Sequence, residues 1–474
     1  MSLVRRNSVR FVAVALWLAC LLPGLNGVTL AASSNYLDVC TSGCTYTSVQ
    51  AAINAITTSS ATNVYTVFID SGVLSTDLST TTNSKSYINF VGRGEGVSIL
   101  QASATWFTNV VNATTSADFF DLSHSTHITI RGLTIDARTN DPGIYSGTAF
   151  NGVRLENCDR ILFDSAEVKA LNYGIWEAAG TTGNLIEVYN SKFLSTLTTM
   201  QPRDSTWHIF SSEIKALQTG SESAGDSVIA LNLIYGINTT VWGSHIHAES
   251  SKAGSSGAVM ALRVQLSSTG SQLAVIGTQL HLKIGTTNIG SSTRPMFAFF
   301  LANPSSSSNH FDFIGSYLEY ETPASISQGQ VAGLAYGNGS ANNSINFIGG
   351  GIFDAAGTGG TYRADVLQTW GGGTAPTIRF AGSKVGAAVS ASGSLPTGLG
   401  SGYSTLNTQR GSVTLSSGTS SVTLPTPLPD STYSVSVSTG VNETIRVTGK
   451  STTGFTVTSS NSSSAAVVDW IVVR

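Results

Sequence analysis

The sequence predicts an all-β protein whose middle is a right-handed, single-stranded parallel β-helix of about nine or more coils. An N-terminal helical cap precedes the coils and a small antiparallel β module follows them. Three observations predict this: a repeated two-strand segment, a second set of short apolar strands between the repeats, and a fresh alternation beyond a soft linker.

Nine segments carry the repeat: HITIRGLTIDA, RILFDSAEVKA, LIEVYNSKFLS, WHIFSSEIKA, TTVWGSHIHA, LAVIGTQLHL, FDFIGSYLEY, INFIGGGIFDA and IRFAGSKVGA. Each alternates apolar residues, passes a small or turn-forming residue, and adds another apolar position two or three places on. The small position falls at Gly132, Ser165, Asn190, Ser211, Gly243, Gly277, Gly315, Gly349 and Gly382, at spacings of 21 to 38 residues. The second set includes GVRLEN, GIWEA, SVIALNLI, AVMALRVQ, MFAFFLA and VAGLAYG. Strands this short, joined by Gly, Asn and Ser, exclude a helix-rich fold. One coil cannot bury its own strands, whereas a stack can, because each strand pairs with its counterparts above and below. The equal offset from the small position predicts one inward column: Val168, Phe193, Ile214, Ile246, Leu280, Leu318 and Ile352.

The stack needs covers, since open strand edges invite aggregation. Upstream, YTSVQAAINAIT places Val49, Ile53 and Ile56 at helical spacing behind Thr47 or Ser48 as a cap. Residues 391–410 form a Gly/Ser-rich linker. Residues 411–474 return to alternation in six short runs, at Val413/Leu415, Val422/Leu424, Tyr433/Val435/Val437, Ile445/Val447, Phe455/Val457 and Val468/Trp470/Val472.

At the chain start, Arg5, Arg6 and Arg10 precede an apolar run from Phe11 to Leu22, then Pro23, Gly24 and small residues at Ala31 and Ala32. That order reads as an export signal over residues 1–31, too short to span a bilayer. The β-helix domain is then expected over 32–390, in a secreted or surface-exposed protein with no membrane span after processing. Removing the signal leaves 21 basic against 27 acidic residues, a net charge of −6. Such a surface will not gather nucleic acid by bulk attraction. Cys40 and Cys44 flank a CTSGC turn and are expected to pair as a disulfide, leaving Cys158 over.

The residues CTYTSVQAAINAI, YINFVGRGEGVSIL and HITIRGLTIDA together resemble the opening of the pectate-lyase-like β-helix superfamily, over about residues 38–390. The run LPDSTYSVSVS, TIRVTGKSTTGFTV and VDWIVVR resembles C-terminal modules of phage tail proteins, which implies adhesion or oligomerisation. A homo-oligomer held through this module is therefore expected.

The superfamily holds lyases, hydrolases, tailspikes and non-catalytic surface proteins. Lyases of this fold use carboxylates to hold calcium and an arginine or lysine to remove a proton, while its hydrolases use paired carboxylates. On that resemblance Asp136, Glu156, Glu177, Arg203 and Asp204 are the catalytic candidates, Arg154 and Trp176 the substrate-binding ones, and calcium the implied cofactor. Asp141 and Arg138 belong to the same charged group. The compact acid pairs and the arginine–lysine signature of the polygalacturonases are absent.

Outward positions flanking the inward column form ladders. Glu167, Lys192 and Glu213 alternate in charge, as on an ordinary wet face. His245 and His247, with His281 one rung away, place imidazoles side by side, a spacing that suits zinc or copper. Two functional readings stay open: a protein that binds, and cleaves, a polysaccharide along its long side, and a non-catalytic structural or adhesive surface protein. A metal-dependent enzyme on the histidine ladder is a third.

Overall fold

The structure, a computed structural model, describes residues 35–473 except 77–84, 112–116, 140–149, 179–183, 220–225, 289–293, 303–306, 324–328, 338, 340–341, 357–361, 371–373, 382, 384, 386–387, 391–408, 425–430 and 432. The export segment, Asp141, Gly382 and nearly all of the linker lie outside the described residues.

Three parallel sheets run the length of a right-handed β-helix, one of twelve strands and two of ten. Each full coil visits them in the same order. In one coil Thr206–Phe210 lies in the first sheet, Glu213–Gln218 in the second and Val228–Ile234 in the third. Three rungs precede the nine repeat segments in the first sheet, at Tyr36–Val39, Tyr65–Ile69 and Ile88–Gly92.

Among the described residues, the small position of each repeat is the corner between the first and second sheets. Gly132, Ser165, Asn190, Ser211, Gly243, Gly277, Gly315 and Gly349 all adopt φ between 48° and 67°. This left-handed conformation costs a residue with a Cβ roughly 1 kcal/mol or more, hence the glycines and the asparagine. Serine tolerates it at 165 and 211 because each corner N–H donates to the next coil, Ser165 to Tyr189 and Ser211 to Trp242.

The residue after the corner builds a ladder of hydroxyls inside the turn. The oxygens of Ser212, Ser244, Thr278 and Ser316 each accept from the backbone N–H one coil below, at 3.1–3.3 Å. Each hydroxyl also donates to the carbonyl two residues before it, as Ser212 does to Phe210 at 2.7 Å. The buried corner is thus satisfied on both sides. At Gly350 the series stops, since a Cβ there would lie 2.0 Å from the Ser316 carbonyl oxygen.

Inside, the expected column is continuous. Val168, Phe193, Ile214, Ile246, Leu280, Leu318 and Ile352 pair rung to rung and are at most 2% exposed. In the first sheet Phe313, Phe347 and Phe380 stack face to face at 4.7 and 5.1 Å. The cap helix spans Val49–Ala55; Ser48 accepts from the Ala51 N–H and Val49, Ala52 and Ile53 are buried. A second helix, Ala104–Val111, was not expected; Ser103 accepts from the Trp106 N–H at its start, and Trp106 and Phe107 are buried.

The C-terminal module has six strands at the positions the alternation predicts, in two three-stranded antiparallel sheets. Its own core holds Leu415, Tyr433, Phe455, Val457 and Trp470 among others. Cys40 and Cys44 form a disulfide with Cα atoms 5.6 Å apart. Cys158 is a buried free thiol that donates to the Leu122 carbonyl, and burial pushes its pKa up to about 11, which makes it inert. Among the described residues no helix is long and apolar enough to cross a membrane.

Candidate functional site

The outward face of the third sheet collects the chemistry. Strand alternation sets the outward side chains of that face between inward apolar residues. Register gives the row Asp121, Arg154, Trp176 and Gln201, and further up Asn232, Arg263 and Phe300. The Asn232 amide donates to Gln201 Oε1 at 3.0 Å and joins the two runs. A parallel row holds Asp118, Asn151, Tyr173 and Thr198.

At its lower end Arg154 binds two carboxylates, Asp118 at 3.3 Å and Glu156 more closely, and its guanidinium lies 5.3 Å from the Trp176 ring. Burial raises the Asp118 carboxyl above its ordinary pKa, opposed by the Asn151 amide and by Arg154. Above, Tyr173, Gln201, Asn232, Tyr235, Arg263 and Gln265 line a groove of about 400 Å³. Arg203 lies over the Tyr235 ring at 4.0 Å. Arg263 donates to the Gln265 side chain and has no carboxylate partner among the described residues. Rings, amides and a guanidinium in one groove can stack on a sugar ring and bond its hydroxyls.

The five catalytic candidates do not converge here. Asp136, on the second sheet, is 5% exposed and accepts from the Arg138 and Thr139 backbone and the Thr139 hydroxyl, which makes it a turn cap. Glu177 points inward and is fully buried. Its oxygens accept from Asn184, the Arg203 N–H, Ser205 and the Trp207 indole, and burial lifts its carboxyl pKa. No face is left on it for a substrate. Asp204 sits at φ 52° and accepts from the Gly236 N–H. Of the candidates, only Glu156, Arg203, Arg154 and Trp176 adjoin the groove face. These bonds give Asp136, Glu177 and Asp204 structural work, in turns and in the core.

The groove residues Tyr173, Gln201, Asn232, Tyr235, Arg263 and Gln265 were not anticipated. A signal for several existed. Val153-Arg154-Leu155, Leu231-Asn232-Leu233 and Leu262-Arg263-Val264 each set one polar residue between two apolar ones at the same place in the coil.

The second sheet carries another outward row. Glu167, Lys192, Glu213, His245, Gln279 and Tyr317 are neighbours in register. The ion pairs run differently from simple alternation: Lys192 binds Glu95 at 2.5 Å and Lys169 binds Glu167 at 2.8 Å. His245, Lys192, Glu213, Gln279 and Tyr317 border a groove of about 580 Å³ along the corner. His247 and His281 stand side by side in the next row. Burial, with His281 beside it, pushes the His247 imidazole down to about 4, so it is neutral at pH 7. On the first sheet Tyr189, Phe210, Trp242, Ile276, Ile314 and Ile348 form an outward apolar stripe, with Trp242 55% exposed.

No protein-family model matches this chain, and no curated protein matches it. Among solved structures it is similar to tailspike gp61 of Pseudomonas phage phi297, at 11% identity and a TM-score of 0.41, over 87% of this chain and 67% of that one. It is similar to the gp54 tailspike of Acinetobacter baumannii bacteriophage AP22, solved in complex with capsular saccharide, at 11% identity and a TM-score of 0.39, over 82% and 68%. Tailspike gp49 of Pseudomonas phage LKA1 matches at 11% identity and a TM-score of 0.35, over 87% and 68%. At these identities and scores none of them assigns a function to this chain.

Proposed function

We propose that this chain is a secreted polysaccharide-binding β-helix protein that holds a glycan along the third sheet. One observation carries the reading: Tyr173, Tyr235, Gln201, Asn232, Gln265 and Arg263 share one groove, and Trp176 lies beside Gln201 in register. Sugar rings stack on aromatic faces and exchange hydroxyl bonds with amides, so such a face needs little net charge. The structural bonds of Asp136, Glu177 and Asp204 favour binding without cleavage. Tyr235→Ala and Trp176→Ala should each weaken binding about tenfold, the ~1.4 kcal/mol that loss of a stacked ring costs, with little change in melting temperature. Affinity electrophoresis through gels containing neutral and acidic polysaccharides measures this, with release of reducing or unsaturated ends followed in parallel. Retardation that is unchanged in the double variant would remove the third sheet as the site.

We also propose self-association through the C-terminal module. Val467 and Ile471 are 53% and 44% exposed on its last strand, and apolar side chains there gain from a second copy. A chain ending at Gly402 should then be monomeric by light scattering while the full-length protein is not. Equal monomer masses for both would overturn this. A truncated chain that stays multimeric would do so as well, pointing instead to the stripe around Trp242.

A further inference from the structure

We infer that His245, His247 and His281 form a site for a divalent transition metal of the zinc class. One ring nitrogen from each lies within 4.8 Å of the others. His247 Nδ1 and His281 Nδ1 face each other at 3.0 Å. The carboxylate of Glu249 sits 3.2 Å from His247 Nε2, and that of Glu321 sits 3.7 Å from His281 Nε2. The Glu249 carboxylate draws the His247 ring proton to Nε2 and leaves that ring's lone pair on Nδ1. That lone pair points at His281 Nδ1, so a proton or a cation belongs between the two nitrogens. The Nε2 of His245 is buried and has no hydrogen-bond partner among the described residues, so it is free to be the third ligand.

The geometry is close to what zinc asks. Metal–nitrogen bonds of about 2.0–2.1 Å in a tetrahedron put ligand nitrogens roughly 3.3 Å apart. The Nδ1 pair already approaches this, and His245 offers a nitrogen within 4.8 Å of both other rings' ligand atoms. Strand geometry supplies the rest: His245 and His247 are two residues apart on one strand, and His281 is the register partner of His247. Three imidazoles favour zinc, copper or nickel over calcium or magnesium, which take oxygen ligands. The surrounding charge suits a cation. Glu213, Glu249, Glu319 and Glu321 occupy neighbouring positions, against Lys215 and Lys283. With three protein ligands, a fourth position is left for water or a sugar hydroxyl. The site lies on the second sheet, so it does not depend on the glycan face proposed for the third.

Equilibrium dialysis of the tag-free, chelator-stripped full-length protein against zinc(II) tests this. One zinc per chain is expected, and cobatlt(II) in its place should show the visible d–d bands of a tetrahedral site. Loss of an outer partner costs roughly 10–100-fold in metal affinity, which is expected for Glu249→Gln. His281→Asn and His245→Asn should each cost more than that. His310→Asn, at an exposed histidine paired with Asp312, is the control and should leave binding unchanged. Circular dichroism establishes that each variant is folded, and His281 and His245 carry the test if the more buried His247 does not tolerate change. Less than one zinc per chain, or equal affinity in folded His281→Asn and His245→Asn, would overturn the assignment.

Discussion

Replacing Ile246 by aspartate is expected to lower stability by about 4 kcal/mol or more, enough to unfold several coils. Ile246 is fully buried, with Ile214 on the rung below and Leu280 on the rung above. None of these can donate a hydrogen bond or pair with a charge. The carboxyl must stay protonated and unsatisfied, or the coil must open. In a stack each rung is stabilised through its two neighbours, so one broken rung weakens both interfaces. Ile246→Val, which removes one methylene and introduces no polar atom, should cost only about 1 kcal/mol. Urea denaturation of the three proteins measures this. An aspartate variant with the wild-type midpoint would mean that position 246 does not face the core.

Removing the acceptor at position 177 should be nearly as damaging. Glu177→Leu strands two donors that cannot turn away, the Arg203 backbone N–H and the indole N–H of the fully buried Trp207. At roughly 1–3 kcal/mol for each buried donor left unpaired, the loss is about 2–6 kcal/mol. Glu177→Gln should recover most of it. Its carbonyl oxygen can keep the Arg203 and Trp207 bonds, while its amide faces the Ser205 hydroxyl, which can accept, and Asn184, whose amide can flip. The pair of variants separates two roles. A structural acceptor makes leucine costly and glutamine mild in thermal melts. A leucine variant that melts with the wild type would sink the structural role and return Glu177 to the list of reactive acids.

Much of the architecture could be read from particular residues. The run from Gly132 to Gly349 marked eight corners between the first and second sheets, because a left-handed turn admits few residue types and the chain uses Gly, Asn or Ser at each of them. The equal offset from those corners then located Val168 through Ile352 on one inward column. His245, His247 and His281 were also legible as neighbours, since two sit on one strand and register brings the third alongside. The helix at Ala104–Val111 was missed because its eight residues are too few to show a helical period against the surrounding strands. The hydroxyl ladder from Ser191 to Ser316 was missed because a serine after a turn is common, and its role appears only when the next coil supplies the donor.

The chemistry was less legible. Asp136, Glu177 and Asp204 have the residue type a reaction needs, and each also accepts a structural bond, from Thr139, Trp207 and Gly236 respectively. Nothing in a carboxylate's sequence neighbours tells whether a donor from another coil already fills it. Conversely, Asn232 and Gln201, 31 residues apart, share a hydrogen bond and a groove wall.

By itself the sequence determined which residues face inward, where each coil turns and that the strands pair in parallel stacks, because those follow from local backbone preference and a period of two. Only the tertiary structure decided which outward side chains meet and which acids remain unbound, because coils of 21 to 38 residues set the distance between rungs along the chain without setting what each loop carries back to the surface.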